Sequence, residues 1–247
     1  MPLLAFASDD VRPEHIKKSP MPPSVPNGPH GTITSFPLPR DSEASVSPTV
    51  FMAKWDPNRI STPHYHSADQ FQLVIDGQGT IGRRAVAPYY VHFTRAYTPY
   101  GPLVAGERKG WTFLALRARR DGGSQHGSAA MEKLKRMPNR RPFQVSKQVT
   151  FPLLEHDRYL YDVPEFKDEY GLFVKMLALK SHGRLQSPSP AMSDGQYLVA
   201  LEGSLVYGAK EYRGISVIFI KPDDPPFEIE AGSLGLRALI LEFPKNQ

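Results

Sequence analysis

Apolar residues in this chain come in short bursts, not at the three-to-four spacing of an amphipathic helix. TVFMAKW (49–55), FQLVIDG (71–77), YYVHFTRAYTP (89–99) and WTFLALRAR (111–119) are rich in β-branched and aromatic residues, and turn-formers such as DGQG separate them. This pattern predicts strands at intervals of about ten residues, as in a β-sandwich or barrel. After residue 142 it returns in GLFVKMLALK, GQYLVALEG, SLVYGAK, ISVIFIKP and LGLRALILEF. Between the two blocks, SAAMEKLKRMP (128–138) is the one good helix candidate, with Ser128 placed to cap its start and Pro138 to end it.

The two β blocks resemble each other. DQFQLVIDG (69–77) lines up with GQYLVALEG (195–203), and Pro99 answers Pro222. A repeat of this kind predicts a duplicated β domain. The division expected is an N-terminal arm over 1–48, a first barrel over 49–119, a basic linker over 120–142 and a second barrel over 143–247. The arm holds ten of the chain's 25 prolines, a density that excludes a helix. One short strand is expected in it, from Thr32 to Phe36, with the arm packing across a barrel or a neighbouring subunit to cover an edge.

Composition narrows the chemistry. There is no cysteine, so disulfides, thiolate metal sites and cysteine nucleophiles are excluded. The start of the chain is neither basic nor strongly apolar, and no stretch is long enough to span a bilayer. The expectation is a cytoplasmic protein with no membrane partner. Net charge is +5, with much of the excess in the run from Arg117 to Arg141. No aromatic side chain interleaves with those charges, so the run reads as a solvated linker, and no nucleic-acid partner is expected.

The candidate chemistry lies in PHYHSADQFQLVIDG (63–77). Residues i and i+2 of a strand share a face, so His64 and His66 project together while Tyr65 points away. Gln70 opens the next strand and can return to the same place. Two imidazoles and an amide oxygen can form one face of a metal's coordination sphere. Two hydrogen-bonded histidines with no metal remain the alternative on spacing alone.

The stretch resembles the first motif of the cupin superfamily: His64-x-His66, three residues, Gln70, six residues, Gly77. Pro99-Tyr100-Gly101 is similar to the start of the second motif. Together with the repeat, this makes the chain resemble a bicupin over about 49–119 and 165–243. The resemblance implies an all-β fold of two jelly-roll barrels, with the arm and a short helical linker. It also implies a divalent metal (Fe, Mn, Ni or Zn) on His64, His66 and Gln70, a small-molecule substrate or ligand, and a homodimer. The sequence departs from the pattern in several places. The family's glutamate is Gln70 here, and its last histidine falls at Val104; His92 is a possible substitute. In the second barrel the corresponding positions read Pro190, Met192, Gln196 and Phe227, so no metal is expected there.

Two side chains near the second motif are candidates for substrate chemistry: Arg95 to bind a carboxylate and Tyr97 to donate a proton or hydrogen bond. GQGTIG (77–82) fits a dinucleotide fingerprint, but no helix follows, so it reads as a hairpin turn. There is no G-x-S-x-G serine motif. Two functions stay open. One is a metal-dependent enzyme of dioxygenase, isomerase or lyase type acting on an oxygen-bearing small molecule. The other is a non-catalytic binding or structural bicupin. A regulator lacks support, because no helix-turn-helix pattern flanks the barrels.

Overall fold

The structure is a computed structural model that describes residues 2–19, 30–36 and 47–245. Much of the proline-rich arm lies outside the described residues. The chain divides into two compact units. One holds residues 13–19, 30–36 and 49–149; the other holds 2–12, 47–48 and 150–245. Almost every element is a strand. Among the described residues, no helix is long and apolar enough to cross a membrane.

The chain opens with β1 (Leu3–Ala7), which belongs to the second unit. The first unit contains β2 (Ile16–Lys18), β3 (Gly31–Thr34), β4 (Thr49–Trp55), β5 (Ile60–Ser61), β6 (His64–Tyr65), β7 (Gln70–Gly77), β8 (Gly79–Ile81), β9 (Arg84–Val86), β10 (Tyr90–Thr94), β11 (Leu103–Ala105), β12 (Trp111–Arg117), β13 (Gln125–His126), α1 (Gly127–Lys135) and β14 (Gln144–Gln148). Its main sheet runs β14-β10-β7-β12-β4-β3-β2, and a second runs β5-β11-β8-β9. This is the jelly-roll expected. The arm's strand is β3, which pairs with β4 and covers its edge.

The segment expected as a linker folds onto the first barrel. β13 pairs with β6, and β14 pairs with β10 over five residues. The first unit therefore runs to residue 149, past the expected boundary at 142. Backbone pairing decides the boundary, and polar composition carries no signal for it. The helix forms where expected, but Ser128 lies inside it. His126 is the N-cap residue and makes no side-chain capping bond.

The second unit comprises β1, β15 (Arg158–Lys167), β16 (Phe173–Leu179), β17 (Arg184–Gln186), β18 (Gln196–Tyr207), β19 (Lys210–Arg213), β20 (Ser216–Ile220) and β21 (Glu228–Glu242). β1 pairs with β20 at the edge of its sheet. The duplication is visible in the backbone. Gly77 has φ +78, and a Cβ there would lie 2.2 Å from the Gly110 carbonyl oxygen. Gly203, its counterpart in the repeat, has φ +82, and a Cβ would lie 2.1 Å from the Gly235 oxygen. Each glycine turns to positive φ against backbone of the barrel's last hairpin, within a few residues of a register shift, and only a residue without a side chain fits there.

The barrels differ in their filling. The second is packed with Leu177, Leu198, Leu205, Ile218, Ile220, Ile240 and their neighbours, all fully buried. In the first, strand alternation puts Gln72, Ala115 and Phe51 on one row, and Phe113, Ala53 and Ile33 on another. The small side chains of Ala53 and Ala115 face larger ones along these rows and leave a cavity of about 470 Å³.

Candidate functional site

The cavity of the first barrel has a polar pole and an apolar body. His64, His66, Gln70, Tyr100, Arg117 and His126 line the pole. Phe51, Ala53, Phe113, Ala115, Leu103 and Trp55 line most of the body.

Backbone pairing builds the pole. His64 and Tyr100 exchange two backbone hydrogen bonds, of 3.1 and 3.0 Å, and the Tyr97 N–H donates to the His66 carbonyl at 2.7 Å. The histidine strand is thus held on the turn that carries Tyr100. The pairing of β13 with β6 then brings His126 beside His64, with ring centres 4.6 Å apart. His64 and His66 meet edge to face at 5.3 Å. The shared direction expected of this pair is what the structure shows, and Tyr65 turns away to lie near Tyr97.

Both histidines are held through Nδ1. In His64 it bonds the Thr62 carbonyl oxygen at 2.9 Å, so Nδ1 carries the proton and Nε2 the lone pair. In His66 it bonds Asp121 Oδ2 at 2.7 Å, with the same consequence. Burial lowers both pKa values, that of His64 to about 3; the bond to Asp121 partly offsets the effect in His66. Burial pushes Asp121 the other way, but the hydrogen bond from His66 and the Arg117 charge hold it well below the usual carboxylate range. At neutral pH the pole therefore holds neutral imidazoles beside an ionised Asp121.

Gln70 is placed differently from a simple ligand. The Arg117 guanidinium donates to its Oε1, and its Nε2 donates to the Tyr100 hydroxyl at 2.8 Å. Arginine has only donors, which assigns the amide oxygen to the Arg117 side. The Tyr100 hydroxyl lies 3.1 Å from His64 Nε2 and completes the chain by donating to it. Asp121 also lies 3.7 Å from Arg117 Nε. His66, Asp121, Arg117 and Gln70 thus form a connected network that orients two of the three expected ligands. Among the described residues, no group of three or more His, Cys, Asp or Glu side chains could hold a metal. Among the described residues, the donors beside the two histidines at this pole are Gln70, Tyr100 and His126.

Arg95 and Tyr97 do not line this cavity. β10 ends at Thr94, so the alternation expected from 95 to 99 is replaced by a turn in which Tyr97 has φ +59. The Arg95 guanidinium lies over Phe143, 5.6 Å from the ring centre. The proton-bearing phenol at the pole belongs to Tyr100, whose pKa burial raises. His92 packs behind that ring, 5.2 Å between centres, with both nitrogens bonded at 2.7 Å, to Ser146 and Thr94. It is not placed to replace the missing histidine. At β11 the residue facing the cavity is Leu103, and Val104 faces a surface groove. In the second barrel Met192 is 75% exposed, Phe227 packs against the core, and Gln196 bonds Glu242.

Sequence reasoning missed Tyr100, Arg117, Asp121, His126 and Arg59 as cavity or network residues. Only Tyr100 lay inside a recognised motif. Arg117 could have been found by pairing the barrel's last strand with the one that begins at Gln70. Asp121 and His126 sit in a segment with no periodic signal.

Comparison with solved structures places the fold. A candidate dioxygenase from Nostoc punctiforme is 14% identical, with a TM-score of 0.65, over 97% of this chain and 82% of that one. A pirin from Escherichia coli in complex with nickel(II) is 10% identical, with a TM-score of 0.59 and complete coverage of both chains. An oxalate decarboxylase from Bacillus subtilis with Mn(II) centres is 11% identical, with a TM-score of 0.58, over 100% of this chain and 78% of that one. No family model and no curated protein matches the chain. At these identities the likeness is one of fold: two jelly-roll barrels in one chain.

Proposed function

We propose that this bicupin is a metal-dependent enzyme whose first barrel acts on an oxygen-bearing small molecule. One observation carries the reading. His64 and His66 each commit Nδ1 to a fixed acceptor and keep Nε2 as a lone-pair nitrogen, in a cavity of about 470 Å³. Tying the far nitrogen to a carbonyl or carboxylate is how ligating histidines are oriented and made more basic. The metal-bearing pirin and decarboxylase with this fold support the same reading.

The donor set fits a divalent ion of modest affinity. His64 and His66 would hold it through Nε2. Gln70 would add the second lone pair of Oε1, the first being taken by Arg117. A neutral donor set leaves the ion's charge undiminished, and the ion would supply Lewis acidity toward a substrate oxygen. The chain's own residues do the rest. Asp121 and Arg117 hold His66 and Gln70 in place. Tyr100 keeps its proton at Oη, because burial disfavours the phenolate; it donates that proton to His64 Nε2, and with that nitrogen on an ion the hydroxyl would be released to offer a hydrogen bond to a developing oxyanion. A substrate filling the body between Phe51, Phe113 and Leu103 would displace water from it.

A second reading has its own observation. The Arg117 guanidinium sits on the oxygen of the expected third ligand. A cation there favours a barrel that binds small molecules without a metal. Elemental analysis separates the two, with wild type and His64→Ala/His66→Ala purified without a histidine tag or chelator. Near-stoichiometric metal in the wild type alone supports the enzyme reading, and the element found narrows the reaction. No metal in either, after divalent ions are added back and excess is removed, leaves the binding barrel.

A further inference from the structure

We infer that Gln72 is a specificity-determining residue: its side-chain amide reads a hydroxyl or N–H on the edge of a flat ring held in the first barrel, set apart from the group of the same molecule that reaches the histidine pole. The inference rests on the cavity being the functional site, as proposed above. It names the class of molecule taken up, a ring with two polar groups that are not neighbours on it.

The first observation is an unsatisfied acceptor. Gln72 is 5% exposed and lines the cavity, and among the described residues its Oε1 has no hydrogen-bond partner. Gln70, two residues earlier on the same face of β7, has both amide atoms engaged, by Arg117 and Tyr100. The polar side chain paired in register with Gln72 on β10 is His92, and it spends both ring nitrogens on Ser146 and Thr94. The fold therefore uses one glutamine and leaves the oxygen of the other bare. A buried acceptor without a partner lowers stability, and a methionine of similar shape would fill the same place without that cost. A donor on a bound molecule would satisfy the oxygen.

The second observation is what stands opposite. Gln72, Ala115 and Phe51 are in register across β7, β12 and β4, and all three line the cavity. The methyl group of Ala115 sits between two longer side chains whose strands are about 10 Å apart, twice the spacing of neighbouring strands. A flat ring standing over Ala115 would lie against Phe51 and turn an edge to Gln72. The next row inward repeats the arrangement, with Ala53 beside Phe113, so the slot is long enough for more than one ring in a cavity of about 470 Å³.

The third observation is order along the barrel. Gln70 and Arg117 meet at the histidine pole, and Gln72 and Ala115 each follow them by two residues along their strands. The row of Gln72 is thus about 7 Å further in than the pole. One molecule that touches both needs its two polar groups separated along its length. Two oxygens on adjacent ring carbons lie too close together for that, whereas groups at opposite ends of a ring system reach both.

The test is calorimetric titration of the full chain, as purified, with three matched probes: 2-naphthol, 2,6-dihydroxynaphthalene and 2,3-dihydroxynaphthalene. Wild type should bind the 2,6-diol about tenfold more tightly than 2-naphthol, and the 2,3-diol no more tightly than 2-naphthol. In Gln72→Met the advantage of the 2,6-diol should vanish while the affinity for 2-naphthol stays. The same variant, free of ligand, should melt about 2–4 °C higher than the wild type, because the bare acceptor is gone. Equal binding of 2-naphthol and the 2,6-diol by the wild type would overturn the inference, as would a preference that survives in Gln72→Met, an equal gain from the 2,3-diol, or no heat with any probe. A lower melting temperature in Gln72→Met, or its failure to fold, would also overturn it, since the amide would then serve the fold. Elemental analysis of the same samples keeps this apart from the metal-dependent reading. A Gln72-dependent preference in a protein without metal refutes that reading alone, and bound metal without the preference refutes this inference alone.

Discussion

Glu242→Gln should make the second barrel more stable in alkali than the wild type. Glu242 is paired in register with Gln196, the counterpart of Gln70. In the first barrel Gln70 has an arginine beside it, and in the second Gln196 has this carboxyl, which accepts from Gln196 Nε2 at 2.5 Å. Glu242 is 5% exposed. Burial raises its pKa from 4.5 to about 8 against the opposing bonds from Gln196 and Ser193 and the charge of Lys175. In the unfolded chain the carboxyl ionises near its ordinary value, whereas in the folded barrel it keeps its proton to about pH 8. Between those values the folded state binds the extra proton, so stability falls as pH rises, at up to about 1.4 kcal/mol per pH unit. The full span corresponds to about 5 kcal/mol, and relaxation and water access around the carboxylate reduce the observable part to roughly 2–3 kcal/mol. A glutamine is shaped like the protonated acid and has no proton to lose. Denaturant unfolding at pH 5, 6.5 and 8.5 should give similar stabilities for the two proteins at pH 5 and a gap favouring the variant at pH 8.5. His64 and His92, buried and neutral, make stability fall as pH drops below about 6.5, but they do so in both proteins and cancel in the difference. A gap that stays constant with pH, or one that favours the wild type in alkali, would refute the reasoning.

Other consequences are open to simpler tests. Asp121→Asn removes the carboxylate that orients His66 and should weaken metal retention by about ten- to a hundredfold while leaving the far-ultraviolet circular dichroism unchanged; dialysis against a graded chelator reads the loss. Tyr100→Phe strips a buried hydroxyl from both His64 Nε2 and Gln70 Nε2 and should destabilise the first barrel by about 1–3 kcal/mol, measured by denaturant melts. Gly77→Ala combines φ +78 with a 2.2 Å clash on backbone and should cost more than about 2 kcal/mol, whereas Gly122→Ala, whose Cβ would meet only Ser67 Oγ at 3.7 Å, should be near neutral; thermal melts rank them.

Much of the architecture was legible before any coordinates. TVFMAKW is β4 from end to end, and Gly77 and Gly203 take the same conformation for the same reason. Alternation along a half-buried strand is a local property, and so is the demand for glycine where the backbone turns to positive φ. The shared direction of His64 and His66 was legible too, since i and i+2 share a face whatever surrounds them. The rest depended on long-range pairing. β14 and β13 look polar in sequence, yet backbone pairing recruits them to the first barrel, and hydrogen bonds between main chains carry no residue code. Arg95 and Tyr97 left the cavity because the strand ends at Thr94, and a turn cancels any argument from alternation. Asp121 reaches His66 across 55 residues and Arg117 reaches Gln70 across 47. Local periodicity therefore specified that there would be two barrels and that one would carry a histidine pair. Only the closed barrel decided what faces that pair, because only there do the first, middle and last strands meet around one cavity.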